Sequence, residues 1–408
     1  MAAKQTFVIA GASLAGAKAA ETLRAEGFDG RLVLVGEEAV RPYERPPLSK
    51  AYLRGEVGFD DAAVHSENFY QEQEIELLTS TTVTSIHPVS KRVTLDPGGS
   101  ITYDQLLLGT GATTRTISIP GADLDGIYYL RSQASCDALR EALTRASRLV
   151  VVGAGWIGSE VAASARQMGK EVALIEAAQV PLERVLGAEV GKMFRDLHAD
   201  NAVELHMGVG VQAFGGSSSV EEVLLADGTS VAGDIFVVGV GVNPRTELAE
   251  HAGLDLDNGV VTDERLATSV PGIWAAGDVA NAWHPGFGTR IRLEHWSAAL
   301  NQGPVAGRNM LGRKDAYDKI PYFFSDQYDL GLEYNGFAEH WDQIVFRGDI
   351  DEREVIVFWL DQGLVVAGMN VNVWDVSDQV AALVAAKRRV DPDVLRDPSV
   401  DLGSLVAP

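Results

Sequence analysis

Residues 7–16 read FVIAGASLAG. An apolar, β-branched run breaks at Gly11 and passes straight into a helical pattern that carries charges at Lys18, Glu21 and Arg24. The stretch nearly spells G-x-G-x-x-G, the turn in which the first glycine reverses the chain, the second lets the backbone approach a pyrophosphate and the third packs helix on strand. Gly11 and Gly16 hold the first and third places, but Ser13 holds the second and adds a Cβ and a hydroxyl at the point of closest approach. A lone, altered turn does not establish a nucleotide site.

The same organisation recurs. SRLVVVGAGWIGSEVAASARQMGKEVALIEAA at residues 147–178 repeats, unit by unit, QTFVIAGASLAGAKAAETLRAEGFDGRLVLVGEE at residues 5–38. Each has a short buried strand, a glycine turn, a helix expected to run about four turns, and a second buried strand ending in an acid, Glu37 or Glu176. The second copy keeps Gly153, Gly155 and Gly158. A helix N-terminus offers unpaired amides and partial positive charge to a pyrophosphate, and the terminal acid accepts from a ribose diol. The candidate phosphate-binding positions are therefore Gly11, Ser13, Leu14, Ala15 and Gly16 in one copy, and Gly153, Gly155, Trp156, Ile157 and Gly158 in the other. A carboxylate at Glu176 suits the free 2′-hydroxyl of NADH and repels the 2′-phosphate of NADPH, and no arginine stands beside it. Two such units imply two dinucleotides, for which a tightly held FAD and an exchangeable NADH are the usual pair.

Bulk properties agree with a folded chain of two or three domains: 408 residues, 46% hydrophobic, 22% charged and 42 glycines. A net charge of −23 argues against nonspecific nucleic-acid binding. An acidic partner would need a local basic patch. The one cysteine, Cys136, excludes an intramolecular disulfide, a Cys-x-x-Cys pair and a thiolate zinc site, and reads as a buried structural thiol on an N-capped helix. The eight histidines show no metal-ligand spacing, so no metal site is expected. The small-residue start of the chain superficially suits a secretory signal, but its apolar run is a strand broken by glycine. No later run reaches the roughly 20 apolar residues of a membrane span. A reducing compartment, the cytoplasm, fits this pattern.

The chain also resembles the FAD-dependent pyridine-nucleotide oxidoreductases, in particular the ferredoxin and rubredoxin reductases of oxygenase systems. The likeness covers essentially all of it, most specifically RPYERPPLSKAYL at 41–53, YDQLLLGTGATTR at 103–115, IWAAGDVA at 273–280, LEHWSAALNQG at 293–303 and YFFSDQYD at 322–329. The resemblance implies an α/β protein with two Rossmann-like domains and a C-terminal α+β domain built on an antiparallel sheet. The FAD domain would be discontinuous, 1–114 and 245–321, the NAD domain 115–244 and the last domain 322–408.

By the same resemblance Glu37 serves the FAD adenosine ribose, Val83 lies near the adenine, Arg131 near the pyrophosphate and Asp278 on the ribityl chain. Arg45, Thr110, Gly111, Val279, His295 and Trp296 are further FAD positions, and Arg184 and Gly241 further NAD positions. Lys50 would lie beside flavin N5 and Glu160 near the nicotinamide. Opposite charges at about 4 Å attract by roughly 4 kcal/mol at an effective dielectric near 20, before desolvation. The helix begun at LEHWSAALNQG would point its dipole at the flavin pyrimidine ring.

Two departures narrow the chemistry. PPLSKAYL contains no cysteine, only Ser49, which disfavours disulfide reductases and single-cysteine peroxidases. Phe324 stands where many relatives carry tryptophan, which puts tryptophan-mediated electron exit in doubt. The implied cycle is hydride transfer from NADH to FAD, then two one-electron transfers to an iron-sulfur protein, a [2Fe-2S] ferredoxin. Rubredoxin, a monodehydroascorbate-type reaction and an NADH-sensing redox switch are the alternatives. A monomer or a homodimer is expected. In the C-terminal region HWDQIVFRGDI, EVIVFWLDQG and LVVAGMNVN read as strands followed by an alanine-rich helix. Arg290, Arg292, Arg308, Arg313, Lys314, Lys387, Arg388 and Arg389 are candidate docking cations, most of them expected to be simply solvated.

Overall fold

The computed structural model describes residues 4–406. The chain divides into two compact units, each assembled from three segments: 1–44, 59–113 and 243–321 in the first, 45–58, 114–242 and 322–408 in the second.

In the first unit the strand Thr6–Ala10 lies between Arg31–Val35 and Gln105–Leu108 in a five-stranded sheet. Ile75–Leu78 and Ile273–Ala275 form its edges, and every pairing is parallel. Val8 and Ile9 are fully buried although they point to opposite faces, which is why the strand reads as a continuous apolar run. The helix Leu14–Ala25 packs on Trp296–Met310 closely enough that a Cβ at Gly303 would stand 2.4 Å from the Ala15 carbonyl oxygen.

The second unit repeats this sheet. Arg148–Val152 is central, Glu171–Glu176 and Ile235–Val238 flank it, and Glu204–Met207 and Ile127–Tyr128 lie outermost, again all parallel. The two glycine helices, Leu14–Ala25 and Trp156–Gln167, have 12 residues each, a little over three turns and shorter than the four expected. Gly27 and Gly169, at φ +85° and +78°, end them in the left-handed region that glycine favours.

The C-terminal part of the second unit is a five-stranded antiparallel sheet in the order Tyr322–Gln327, Leu330–Gly336, Leu364–Val371, Glu354–Asp361, Gln343–Asp349. The helix Ser377–Ala386 covers it, with Val380 against Gly368. Three strands and the helix match the sequence reading. The first two strands were not foreseen as such, because Leu330–Gly336 is buried on both faces and shows no alternation, and the tight turn between them is made by Tyr328 at φ +58°, not by glycine. Among the described residues no helix is long and apolar enough to cross a membrane.

Candidate active site

The first glycine turn is built by its own packing. A Cβ at Gly11 would meet the Gly109 carbonyl oxygen at 2.1 Å, and one at Gly16 would meet the Gly11 oxygen at the same distance. Ser13 takes the N-cap place with ordinary extended geometry, φ −123°, and its hydroxyl makes no capping bond to the helix. No acid occupies the first turn, so the helix N-terminus keeps its positive end for an anion, as a pyrophosphate requires. Leu14 and Ala15 bury their side chains in the core, which leaves only their backbone amides for a ligand. Glu37 is exposed at the strand end and pairs with Arg245, Nη1 to Oε1 2.6 Å. Thr110 Oγ1 donates to the Arg245 carbonyl at 3.0 Å, and the Arg245 N–H donates to Gly111 at 3.0 Å. The structure thus brings Glu37, Thr110 and Gly111 together through Arg245, which carries no motif of its own.

On the return of the chain Asp278 sits half-buried in the turn Gly277–Val279, whose Gly277 N–H donates to Gln302 Oε1 at 2.8 Å. Val279 and Val83 are core residues. His295 takes the N-cap place of the helix that Trp296 begins, with no side-chain capping bond to it. Desolvation pushes the His295 imidazole down to about 4, and the nearby Asp278 charge opposes that shift.

The second turn shows a cradle more openly. Gly158 is enforced by the Gly153 carbonyl oxygen, 1.9 Å from a Cβ, and Gly153 by the Gly239 oxygen at 2.4 Å. Gly155, at the helix N-cap, is different: a Cβ there would meet no protein atom within 4 Å. That room, in front of uncapped amides, fits a pyrophosphate. Both oxygens of Glu176 accept backbone N–H groups, Oε2 from Ala154 at 2.7 Å and Oε1 from Ala178 at 2.9 Å. A carboxylate offers about four lone-pair sites, so acceptor capacity remains for a ribose diol. The Trp156 ring turns into an aromatic group, 4.6 Å from Phe323 and 6.0 Å from Phe194 between centroids, so its backbone is the part left for a phosphate. Ile157 is 46% exposed. Arg184 is exposed on the short helix Glu183–Leu186, and Gly241 follows the strand Ile235–Val238.

Lys50 and Glu160 both belong to the second unit and form an ion pair in which Glu160 is buried and Lys50 partly so. Their 2.8 Å separation corresponds to about 6 kcal/mol of attraction at an effective dielectric near 20, before desolvation. The Lys50 ammonium also lies 5.6 Å from the Phe324 ring centroid, a favourable cation–π position. Arg45 and Arg131 are in the same unit, and the Arg45 guanidinium donates to the Arg131 carbonyl.

Cys136 is fully buried on the helix Gln133–Arg145, which Ser132 and Ser135 close with a reciprocal capping box. Its Sγ donates to the Leu48 carbonyl at 3.1 Å, and burial pushes the thiol up to about 12. Such a thiol is not a redox nucleophile.

Several of the candidate docking cations are engaged within the chain. Arg292 is paired with Glu294 at 2.7 Å and only 10% exposed, Arg290 donates to the Thr262 carbonyl, Arg308 pairs with Asp315, and Arg313 reaches Glu26 at 3.5 Å. Arg290 and Arg292 are in or beside the strand Thr289–Ile291, so solvated helix charge does not describe them. Lys314, Lys387, Arg388 and Arg389 are exposed.

Residues 5–303 match the family model described as pyridine nucleotide-disulphide oxidoreductase, and residues 322–406 match the one described as reductase C-terminal. The 5,5′-dehydrodivanillate O-demethylase ferredoxin reductase subunit of a Sphingobium species is 39% identical over 404 residues, 98% of each chain. The anthranilate 1,2-dioxygenase system ferredoxin–NAD(+) reductase component of Burkholderia cepacia is 38% identical over 97% of this chain and 98% of its own. The reductase in the covalent putidaredoxin reductase–putidaredoxin complex superimposes with a TM-score of 0.95 at 35% identity, covering 99% of this chain and 98% of that one. Doubled glycine cradle, C-terminal sheet and full-length similarity agree: the chain belongs to the pyridine nucleotide-disulphide oxidoreductase family.

Proposed function

We propose that this protein is an NADH-dependent, FAD-containing reductase that supplies electrons to a [2Fe-2S] ferredoxin serving an oxygenase. The observation that carries this reading is the doubled dinucleotide cradle in a chain whose single thiol is buried and held protonated. Electrons entering from NADH have no protein disulfide to go to, and both relatives named above are ferredoxin reductase components.

FAD, when bound, accepts the two electrons of a hydride and releases them one at a time. The chain's residues prepare that exchange. The amides after Ser13 and Gly155 hold the two pyrophosphates, Glu37 and Glu176 the riboses, and Asp278 the ribityl chain. Val83 serves the adenine and Arg131 the pyrophosphate, Arg45 is a further FAD position, and Arg184 and Gly241 are further NAD positions. Lys50 supplies a fixed positive charge where negative charge develops, and Glu160 orients Lys50 and the nicotinamide carboxamide. We assign FAD binding to 1–114 and 245–321, NAD binding to 115–244, and a separate C-terminal α+β domain to 322–408. The cytoplasm, where NADH is generated, is the compartment of action.

Anaerobic stopped-flow mixing tests the reading. NADH should bleach the flavin rapidly, and a purified [2Fe-2S] ferredoxin should reoxidise it, with unchanged rates after treatment of the native protein with iodoacetamide. Slow reduction into a long-lived charge-transfer complex, with no ferredoxin turnover, would overturn it.

A further inference from the structure

The second glycine helix sends two side chains one turn apart toward a single residue. Ser49 Oγ donates to Glu160 Oε2 at 2.5 Å, and Ser164 Oγ donates back to the Ser49 carbonyl oxygen at 2.6 Å. Residues four apart share a helix face, so Glu160 and Ser164 grip Ser49 by side chain and backbone together. From the C-terminal sheet Ser325 Oγ donates to the other carboxylate oxygen, Oε1, at 2.7 Å. Ser49, Glu160, Ser164 and Ser325 are all buried.

We propose that Ser49 and Ser325 are positioning residues that fix the Glu160 carboxylate in one orientation against Lys50. The proposal rests on the reading of Lys50 and Glu160 as the hydride-transfer pair. The terminal torsion of glutamate is broad, so one ammonium on a flexible four-carbon stem does not set the carboxylate plane. Two hydroxyls on opposite oxygens do, because each serine has a single side-chain torsion. The hydroxyls are themselves directed. Gln327 Nε2 lies 3.4 Å from Ser325 Oγ as a donor, which leaves the serine proton for Glu160, and the competing acceptor for Ser49, the Pro46 carbonyl, is distant at 3.4 Å. A buried carboxylate that lost both hydroxyls would seek other partners and release Lys50 from its place.

The test uses the FAD-loaded protein and the variants Ser49→Ala, Ser325→Ala and their combination, with Ser49→Thr and Ser325→Thr as hydroxyl-preserving controls. Two quantities are read: the saturating rate of flavin reduction by NADH against the NADH concentration for half-saturation, and the acylation of Lys50 by acetic anhydride relative to exposed Lys192, measured by mass spectrometry. Each alanine should lower the saturating rate by about tenfold with little change in half-saturation, a split that marks loss of an interaction made in the transition state. Lys50 should become several times more reactive, and the threonines should restore both values. The alanine effect should vanish in a Glu160→Ala background. Should the double variant not fold, the single variants carry the same comparison. Parental rates and parental Lys50 labelling in the alanine variants overturn the inference alone, provided Lys50→Met and Glu160→Ala slow flavin reduction. If those two substitutions also leave the rate unchanged, the reading beneath it falls, and the inference with it.

Discussion

The Ala154 N–H, inside the second glycine turn, donates to Glu176 Oε2 at 2.7 Å and fixes the acid at the mouth of the cradle. With NADH bound in that cradle, as proposed, such a carboxylate would meet a ribose hydroxyl, and with NADPH a phosphate of its own sign. Glu176→Ala should therefore lower the NADH-over-NADPH preference in kcat/KM by at least about tenfold, equivalent to about 1.4 kcal/mol. An unchanged ratio in steady-state assays with both donors would show that Glu176 does not read the 2′ position.

Gly155 and Gly158 should separate binding from folding. A Cβ at Gly158 would collide with the Gly153 carbonyl oxygen, so Gly158→Ala should cost about 3 kcal/mol or more in denaturant unfolding. Gly155 has room and an ordinary φ of −74°, so Gly155→Ala should alter stability by no more than about 0.5 kcal/mol. Its cost should fall on NADH, whose half-saturating concentration should rise. In the first turn Ser13 stands at the corresponding N-cap, and Ser13→Gly should leave FAD retention during gel filtration as it was. Flavin loss from the parent that glycine cures would mark the serine as a defect.

His198 should make stability depend on pH. It is fully buried, with Nδ1 3.1 Å from the Tyr328 hydroxyl, and desolvation pushes its imidazole from the ordinary 6.5 down to about 4. Between those values the unfolded chain takes up a proton that the folded chain refuses. Stability is thus present above about 6.5 and lost as pH falls toward about 4, by up to about 1.4 kcal/mol per pH unit from this one group. His198→Gln, neutral throughout, should flatten the slope of unfolding free energy between pH 6 and about 4.5 by that amount. Equal slopes in urea titrations of parent and variant would contradict the assignment.

The parallel sheets and their turns were legible because Gly11, Gly16, Gly153 and Gly158 answer to backbone collisions only a few residues to about a hundred residues away, in a pattern that recurs twice. Lys50 and Glu160 could be named from resemblance, and they do meet. The serines around them were not legible as a group. Ser49 and Ser325 reach Glu160 across 111 and 165 positions of sequence, and a serine carries no periodicity that announces a buried partner. Ser49 drew notice only as the place where a cysteine was missing. Arg245 escaped for the same reason, an isolated cation 208 positions from Glu37. The strand Leu330–Gly336 escaped because burial on both faces erases the alternation by which a strand is recognised.

The short segment 45–58 carries Lys50, yet in chain order it interrupts the first unit and in space it belongs to the second. A nucleotide module excised at the apparent borders, 115–244, would leave it behind. In a chimera that exchanged only that stretch between two relatives, Glu160 would come from one parent and Lys50, Ser49 and Ser325 from the other. Recombination can keep the ion pair intact only by moving two separate pieces of the gene together, and the pair with both its serines only by moving a third as well.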